Sequence, residues 1–196
     1  MIVVVCPGQG AQTPGFLTPW LEFERFRSSI ELQQNASGID LVGHGTVSDA
    51  DTIRDTAVAQ PLIVAAGVAT LSELLEGRSL SESGIAGIAG HSVGEITAAV
   101  GSGIFDPESG ILFVRERGNA MAQAAALETT SMAAVLGGDQ AVVEARLAEL
   151  GLEPANYNGG GQIVAAGSAE GIAGLVAEPT PGTRVIPLQV AGAFHT

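Results

Sequence analysis

The stretch IAGIAGHSVGEITAAVG, Ile85 to Gly101, decides how the chain is read. Ile85 to Ala89 has the small, apolar character of a short buried parallel strand, and Val93 to Val100 reads as a helix. Between them Gly90, Ser92 and Gly94 spell G-x-S-x-G. Where such a pattern joins a strand to a helix it forms a nucleophile elbow: the glycines let the two elements approach, and the serine is forced onto an exposed, strained turn. In a chain with 27 glycines the five letters alone are weak, so a structural turn with no chemistry is the competing reading.

Outward from this turn the pattern is α/β. Ile2 to Cys6 is a β-branched run ending in the glycine-rich loop PGQGAQTPG, which predicts a second buried parallel strand. Trp20 to Gln34 reads as a helix. Ser48 and Asp49 are candidate caps for another, with Pro61 in its first turn and Gly77 at its end. Pro107 to about Ala126 is a longer helix. From Ser131 the order becomes strand, helix, strand, strand, helix, strand. That βαββαβ order is the split βαβ or ferredoxin-like unit. The expected division is a large α/β subdomain over residues 1–127, a small inserted subdomain over 128–191, and a return to the large one at 192–196. Two parallel strands are too few for a covered sheet. The expectation is therefore an amino-terminal portion of a longer protein, whose later sequence completes the large sheet.

Composition narrows the function. The chain has 196 residues, with 21 acidic residues against 8 arginines and no lysine, for a net charge of −13. Such a surface is unsuited to nucleic-acid phosphates and to an anionic membrane. The start MIVVVCPGQG lacks the basic lead of a secretory signal, and no run of eighteen apolar residues follows. A cytoplasmic protein is expected. Cys6 reads as a small buried hydrophobe, and three scattered histidines suggest no metal site.

If Ser92 is a nucleophile, it needs oxyanion donors and a base. The N–H of Val93 is a free donor at a helix start. The backbone of Gln9, in the loop after the first strand, is well placed to give a second if the two strands are neighbours. His91 adjoins the serine but should point away, which makes it a supporting residue. His44 lies on a glycine-flanked loop and reads as a surface or turn histidine. His195, after the last strand, arrives from a different element and is free to face Ser92. On the helix from Pro107, Ile111, Val114, Gly118, Met121 and Ala125 form one apolar stripe, and Arg117 falls on it. A guanidinium there needs an anion, either an internal acid or a substrate carboxylate.

These residues resemble a known family. PGQGAQ (7–12), Gln60-Pro61, GHSVGE (90–95), RERG before AMAQ (115–123), ANYNGGGQIVAAG (155–167) and GAFHT (192–196) occur in the order seen in malonyl-CoA:acyl carrier protein transacylases. That family has an α/β-hydrolase-like large subdomain carrying a ferredoxin-like insertion, in agreement with the architecture read above. The resemblance implies Ser92 as acyl-accepting nucleophile, His195 as base and Arg117 as the holder of the malonyl carboxylate. It implies an oxyanion hole from the backbone of Gln9 and Val93, with Gln60 lining the site and His91 supporting it. Val93 and Phe194 look like the malonyl-selecting members.

The implied reaction is ping-pong. Ser92 takes the malonyl group from malonyl-CoA, and the phosphopantetheine thiol of acyl carrier protein then removes it; no metal or other cofactor is needed. Members normally continue well beyond the histidine, so poor activity is expected if these 196 residues are the whole protein. Two other readings stay open: a serine esterase or thioesterase, and a non-catalytic module that only binds coenzyme A or a partner.

Overall fold

The computed structural model describes residues 1–190 and 192–196. Along the chain run β1 (Val3–Cys6), α1 (Glu24–Ser37), α2 (Leu41–Thr46), α3 (Thr56–Leu75), β2 (Gly87–Gly90), α4 (Gly94–Gly101) and α5 (Pro107–Ala125). There follow β3 (Thr130–Gly137), α6 (Gln140–Glu149), β4 (Glu153–Gly159), β5 (Gln162–Ser168), α7 (Ala169–Ala177) and β6 (Thr183–Leu188). Two compact units emerge, Met1–Ala122 and Gln123–Thr196. The break falls in the last turn of α5 rather than at residue 127, and residues 192–196 group with the second unit. The boundary expected at Ala191 lies outside the described residues.

In the first unit β1 and β2 pair in parallel, Val3 opposite Gly87 and Cys6 opposite Gly90. The core is built around α3, where Leu62, Val64, Ala65 and Ala69 are fully buried. Against it pack Phe26 and Ile30 of α1, Leu41 of α2, and Ile111 and Val114 of α5. The helical stretch Thr56–Glu82 is long and apolar enough to cross a membrane, yet 61% of its apolar window is buried inside the protein. Cys6 is buried at the end of β1, which pushes its thiol pKa up and suits the role of a small hydrophobe.

Helix starts are where the fold departs from expectation. Asp49 accepts the Thr52 N–H at 2.8 Å at the start of a single 3-10 turn, Thr52–Arg54, whose N-cap position is Asp51. Asp55 then caps α3, accepting the Ala57 N–H at 2.8 Å. Because of the extra turn, α3 begins at Thr56 and Pro61 sits inside the helix rather than in its first turn. There its ring leaves the carbonyl of Ala57 without the usual helical donor. His44 is not on a loop: it lies on α2, whose first turn is capped by Asp40 accepting from Gly43 N–H at 2.9 Å. Two glycines in six residues weigh against a helix there by propensity alone.

The second unit is one four-stranded sheet in the order β4-β5-β3-β6, antiparallel throughout. Ala134 of β3 stands opposite Val164 of β5 on one side and Ile186 of β6 on the other. The alternate set, Ala133, Val135, Ile163 and Ala165, is covered by Val143 and Leu147 of α6 and Ile172 and Leu175 of α7. Asp139 and Ser168 cap these two helices through backbone N–H bonds of 3.0 Å. Strand alternation and cap chemistry together explain why this half was readable.

Backbone sits on backbone where β1, β2 and α4 meet. A Cβ on Gly94 would lie 2.3 Å from the carbonyl oxygen of Cys6 and 2.6 Å from that of Pro7, and one on Gly90 would lie 2.2 Å from the Glu95 nitrogen. Gly87, in the same strand, has open space beside it. Gly94→Ala should therefore cost about 3 kcal/mol in denaturant unfolding, the upper end for overpacking, because backbone cannot step aside. Gly87→Ala should fall within about 0.5 kcal/mol of the parent.

Candidate active site

The elbow is built by hydrogen bonds on either side of one unusual residue. His91 N–H donates to the Cys6 carbonyl at 3.0 Å, which ends β2 against β1. Ser92 follows with φ of +53°, in the left-handed region. The helix then starts at once: Gly94 N–H donates to His91, Glu95 N–H to Ser92 and Ile96 N–H to Val93, at 2.9, 3.0 and 3.1 Å. The Val93 side chain is fully buried. Among the described residues no acceptor meets its N–H, which lies at the positive end of α4.

The loop after β1 lies alongside. A Cβ on Gly8 would fall 2.7 Å from Nδ1 of His91, so the imidazole rests against this loop. Among the described residues, 7–12 make no backbone-to-backbone hydrogen bond with one another or with the rest of the chain. Side chains tie the loop down instead. Gln9 Nε2 donates to the Arg54 carbonyl at 3.2 Å, and Gln12 Nε2 to the Ile53 carbonyl at 2.9 Å. Gln12 Oε1 also accepts the Gly10 N–H at 2.9 Å.

Arg117 comes from α5, between the buried Val114 and Gly118. A Cβ on Gly118 would sit 3.0 Å from the Thr56 carbonyl oxygen, so α5 runs close over the start of α3. From there the guanidinium donates through Nη1 to Gln60 Oε1 and through Nη2 to Ser92 Oγ, the latter at 3.4 Å. Gln60 is fully buried, and its Nε2 is directed at Met121 Sδ, 3.0 Å away. Four other arginines, Arg54, Arg78, Arg115 and Arg146, are paired with acids. Among the described residues Arg117 has no such pair. Burial pulls its pKa down, and the nearby carboxylate of Glu95 partly opposes that shift. An arginine so perturbed is still a cation at neutral pH.

The structure thus brings Ser92, Arg117 and Gln60 together, with the Val93 N–H at the same turn, and sets His91 against the loop that carries Gln9. His195 belongs to the second unit and has φ of +68°; the chain before it is fastened by Ala193 N–H donating to Thr130 Oγ1 at 2.8 Å. His44 has Ser48 Oγ at 3.1 Å. No group of three His, Cys, Asp or Glu side chains among the described residues could hold a metal ion. Sequence reasoning passed over Gln12 and gave Met121 no part beyond packing. For Gln12 the available signal was its spacing from Gln9 in PGQGAQ, which by itself indicates no partner.

Comparison with known proteins gives this geometry a context. The profile of the acyl transferase domain matches residues 3–196. The chain is 45% identical over 196 residues to a malonyl CoA-acyl carrier protein transacylase of Mycobacterium bovis, covering all of this chain and 65% of that one. It is 30% identical over 198 residues to the transacylase of Escherichia coli, covering 97% of this chain and 63% of that one. The crystal structure of MCAT from Mycobacterium tuberculosis superposes with a TM-score of 0.94 at 45% identity, over all of this chain and 65% of that one. A malonyl-transacylase solved in complex with a type II PKS acyl-carrier protein gives 0.86 at 28% identity, over 98% and 63% of the two chains. The chain therefore spans about two thirds of the length of the curated relatives it matches. With the profile matched from Val3 to the last residue, the chain belongs to the acyl transferase domain family.

Proposed function

We propose that the protein carrying this chain transfers a malonyl group from malonyl-CoA to the phosphopantetheine thiol of acyl carrier protein, supplying fatty-acid elongation in the cytoplasm. One observation carries the reading: the Arg117 guanidinium, without an acid partner among the described residues, stands 3.4 Å from Ser92 Oγ. A cation beside a nucleophile, in a chain of net charge −13, suits an acyl group that bears its own carboxylate. Gln60 holds the guanidinium in place, and the similarity to malonyl CoA-acyl carrier protein transacylases supports the same substrate.

In this reading Ser92 Oγ attacks the thioester carbonyl while its proton passes to His195, the base implied by the family motif. The oxyanion is met by the N–H groups of Val93 and Gln9. Coenzyme A leaves with the proton, and the carrier thiol repeats the sequence in reverse on the malonyl ester. His91 supports the loop, while Val93 and Phe194 favour malonyl over branched acids. The same reading makes the first unit an α/β-hydrolase-like subdomain and the second a ferredoxin-like insertion after which the chain returns to the first. Element order and the strand order β4-β5-β3-β6 support the ferredoxin-like part of that description.

The left-handed Ser92 is part of the reading. A non-glycine residue in that region costs about 1 kcal/mol or more, and such strain collects at functional turns. Ser92→Gly should be about 1 kcal/mol more stable than Ser92→Ala, and both should take up no malonyl group. Intact mass after exposure to malonyl-CoA is the direct test: the parent gains one malonyl group, and a parent that gains none sinks the transferase reading. Rapid release of free malonate without a carrier would favour the hydrolase instead. Arg117→Ala should lower kcat/KM for malonyl-CoA about 10- to 100-fold, the worth of charge-assisted hydrogen bonds. Transfer of acetyl groups should fall far less; equal losses for both would return Arg117 to a structural role.

A further inference from the structure

We propose that Gln12 is the positioning residue of the oxyanion loop: its side-chain amide, bridging Gly10 N–H and the Ile53 carbonyl, holds the Gln9 N–H where the oxyanion forms. This rests on the malonyl-transfer reading of Ser92. The need for such a residue follows from the loop itself. A hydrogen-bond donor aids a transition state only if it is already in place, since reorganisation would consume the gain. Residues 7–12 have no backbone-to-backbone hydrogen bond among the described residues, and Gln9 and Gly10 are exposed. Nothing in the local secondary structure keeps them still.

Three contacts replace it. Before Gln9, Gly8 is pressed against His91 closely enough to exclude a Cβ. At Gln9, its own side chain reaches the Arg54 carbonyl at 3.2 Å. After Gln9, the peptide plane linking it to Gly10 is held by Gln12 Oε1 at 2.9 Å, and Gln12 is in turn anchored by its Nε2 to the Ile53 carbonyl at 2.9 Å. Gln12 is the one of these groups that uses both ends of an amide, accepting from the loop and donating to the scaffold. It is half-buried, so water competes with it less than with the exposed Gln9. Gly10 has φ of +106°, a conformation that a fixed partner must select from the many open to glycine.

The anchor point adds a second consequence. Ile53 and Arg54 belong to the 3-10 turn that leads through Asp55 into α3, the helix carrying Gln60. The loop that would stabilise the oxyanion and the glutamine that holds Arg117 are thus fastened to one short segment.

The test is single-turnover acylation of Ser92 by malonyl-CoA in the full-length protein, followed by quench and intact mass, for the parent, Gln12→Ala and Gln12→Glu. Gln12→Ala should acylate roughly 10- to 100-fold more slowly at saturating malonyl-CoA, toward the loss of one oxyanion donor. Its KM should stay within about 3-fold and its Tm within a few degrees, because the freed groups can be met by water. Gln12→Glu keeps the acceptor for Gly10 N–H and loses the donor to Ile53, so its rate should fall between the two. Amide exchange at Gly10 should quicken in Gln12→Ala and less in Gln12→Glu. A Gln12→Ala rate within about 2-fold of the parent overturns the proposal, as does a loss confined to KM. If that variant does not fold, Gln12→Glu decides: a parental rate overturns the role. Failure of the underlying reading looks different, since the parent itself would then take up no malonyl group.

Discussion

Gly94 has no room for a side chain because the carbonyls of Cys6 and Pro7 already fill that space. Everything at the candidate site depends on this contact. It brings the start of α4 down onto the end of β1 and leaves only His91, Ser92 and Val93 to turn the chain between strand and helix, with Ser92 at a φ of +53°. The strain at Ser92 and the close approach at Gly94 are one constraint seen from two sides. At the same turn the buried Val93 has its N–H at the start of the helix, met by no acceptor among the described residues. A larger residue at Gly94 would open that geometry before it altered any side chain with chemistry.

Electrostatics sets the second half of the problem. The chain is strongly acidic, and its ion-paired arginines are partly or largely exposed beside carboxylates, where such pairs contribute about 1 kcal/mol or less. Arg117 is held by neutral groups, an amide and a hydroxyl. An amide fixes the position of a guanidinium without neutralising it, so the charge remains available to an incoming anion. Had a carboxylate stood in the place of Gln60, the pair would have satisfied itself and left little attraction for substrate. Glu95 acts on Arg117 only at a distance, enough to oppose the effect of burial but not to occupy its donors.

Much of this was legible in the residues. The parallel pair β1 and β2, the elbow between β2 and α4, and the βαββαβ order of the second unit follow from apolar periodicity and from caps such as Asp139 and Ser168. Arg117 could be found because it interrupts the apolar stripe of α5. What stayed hidden was decided by contacts between distant segments. The 3-10 turn at Thr52–Arg54 shifted the start of α3 and moved Pro61 into the helix interior, and α2 formed despite two glycines because Asp40 caps it and Leu41 is buried. Gln60 was legible as a motif residue, but its contact with Arg117 spans 57 positions and has no periodicity to betray it. Gln12 is a harder case, since a polar residue in a glycine-rich loop looks like solvent exposure until the Ile53 carbonyl is seen beside it.

The turn before α3 links the loop after β1 to the helix that carries Gln60. Its two carbonyls, of Ile53 and Arg54, are left by the 3-10 geometry pointing out of the helix that follows, and two glutamines from the loop after β1 occupy them. Asp49 and Asp55 fasten the turn at either end through backbone N–H groups. The loop after β1 and the helix whose Gln60 holds Arg117 therefore reach a common footing through short polar contacts. Burial of Ile53, next to the exposed Arg54–Asp51 pair, keeps that footing attached to the core. An acidic surface at this turn is then no accident of composition: Asp49 accepts the Thr52 N–H, Asp55 caps the helix that carries Gln60, and Asp51 pairs with Arg54.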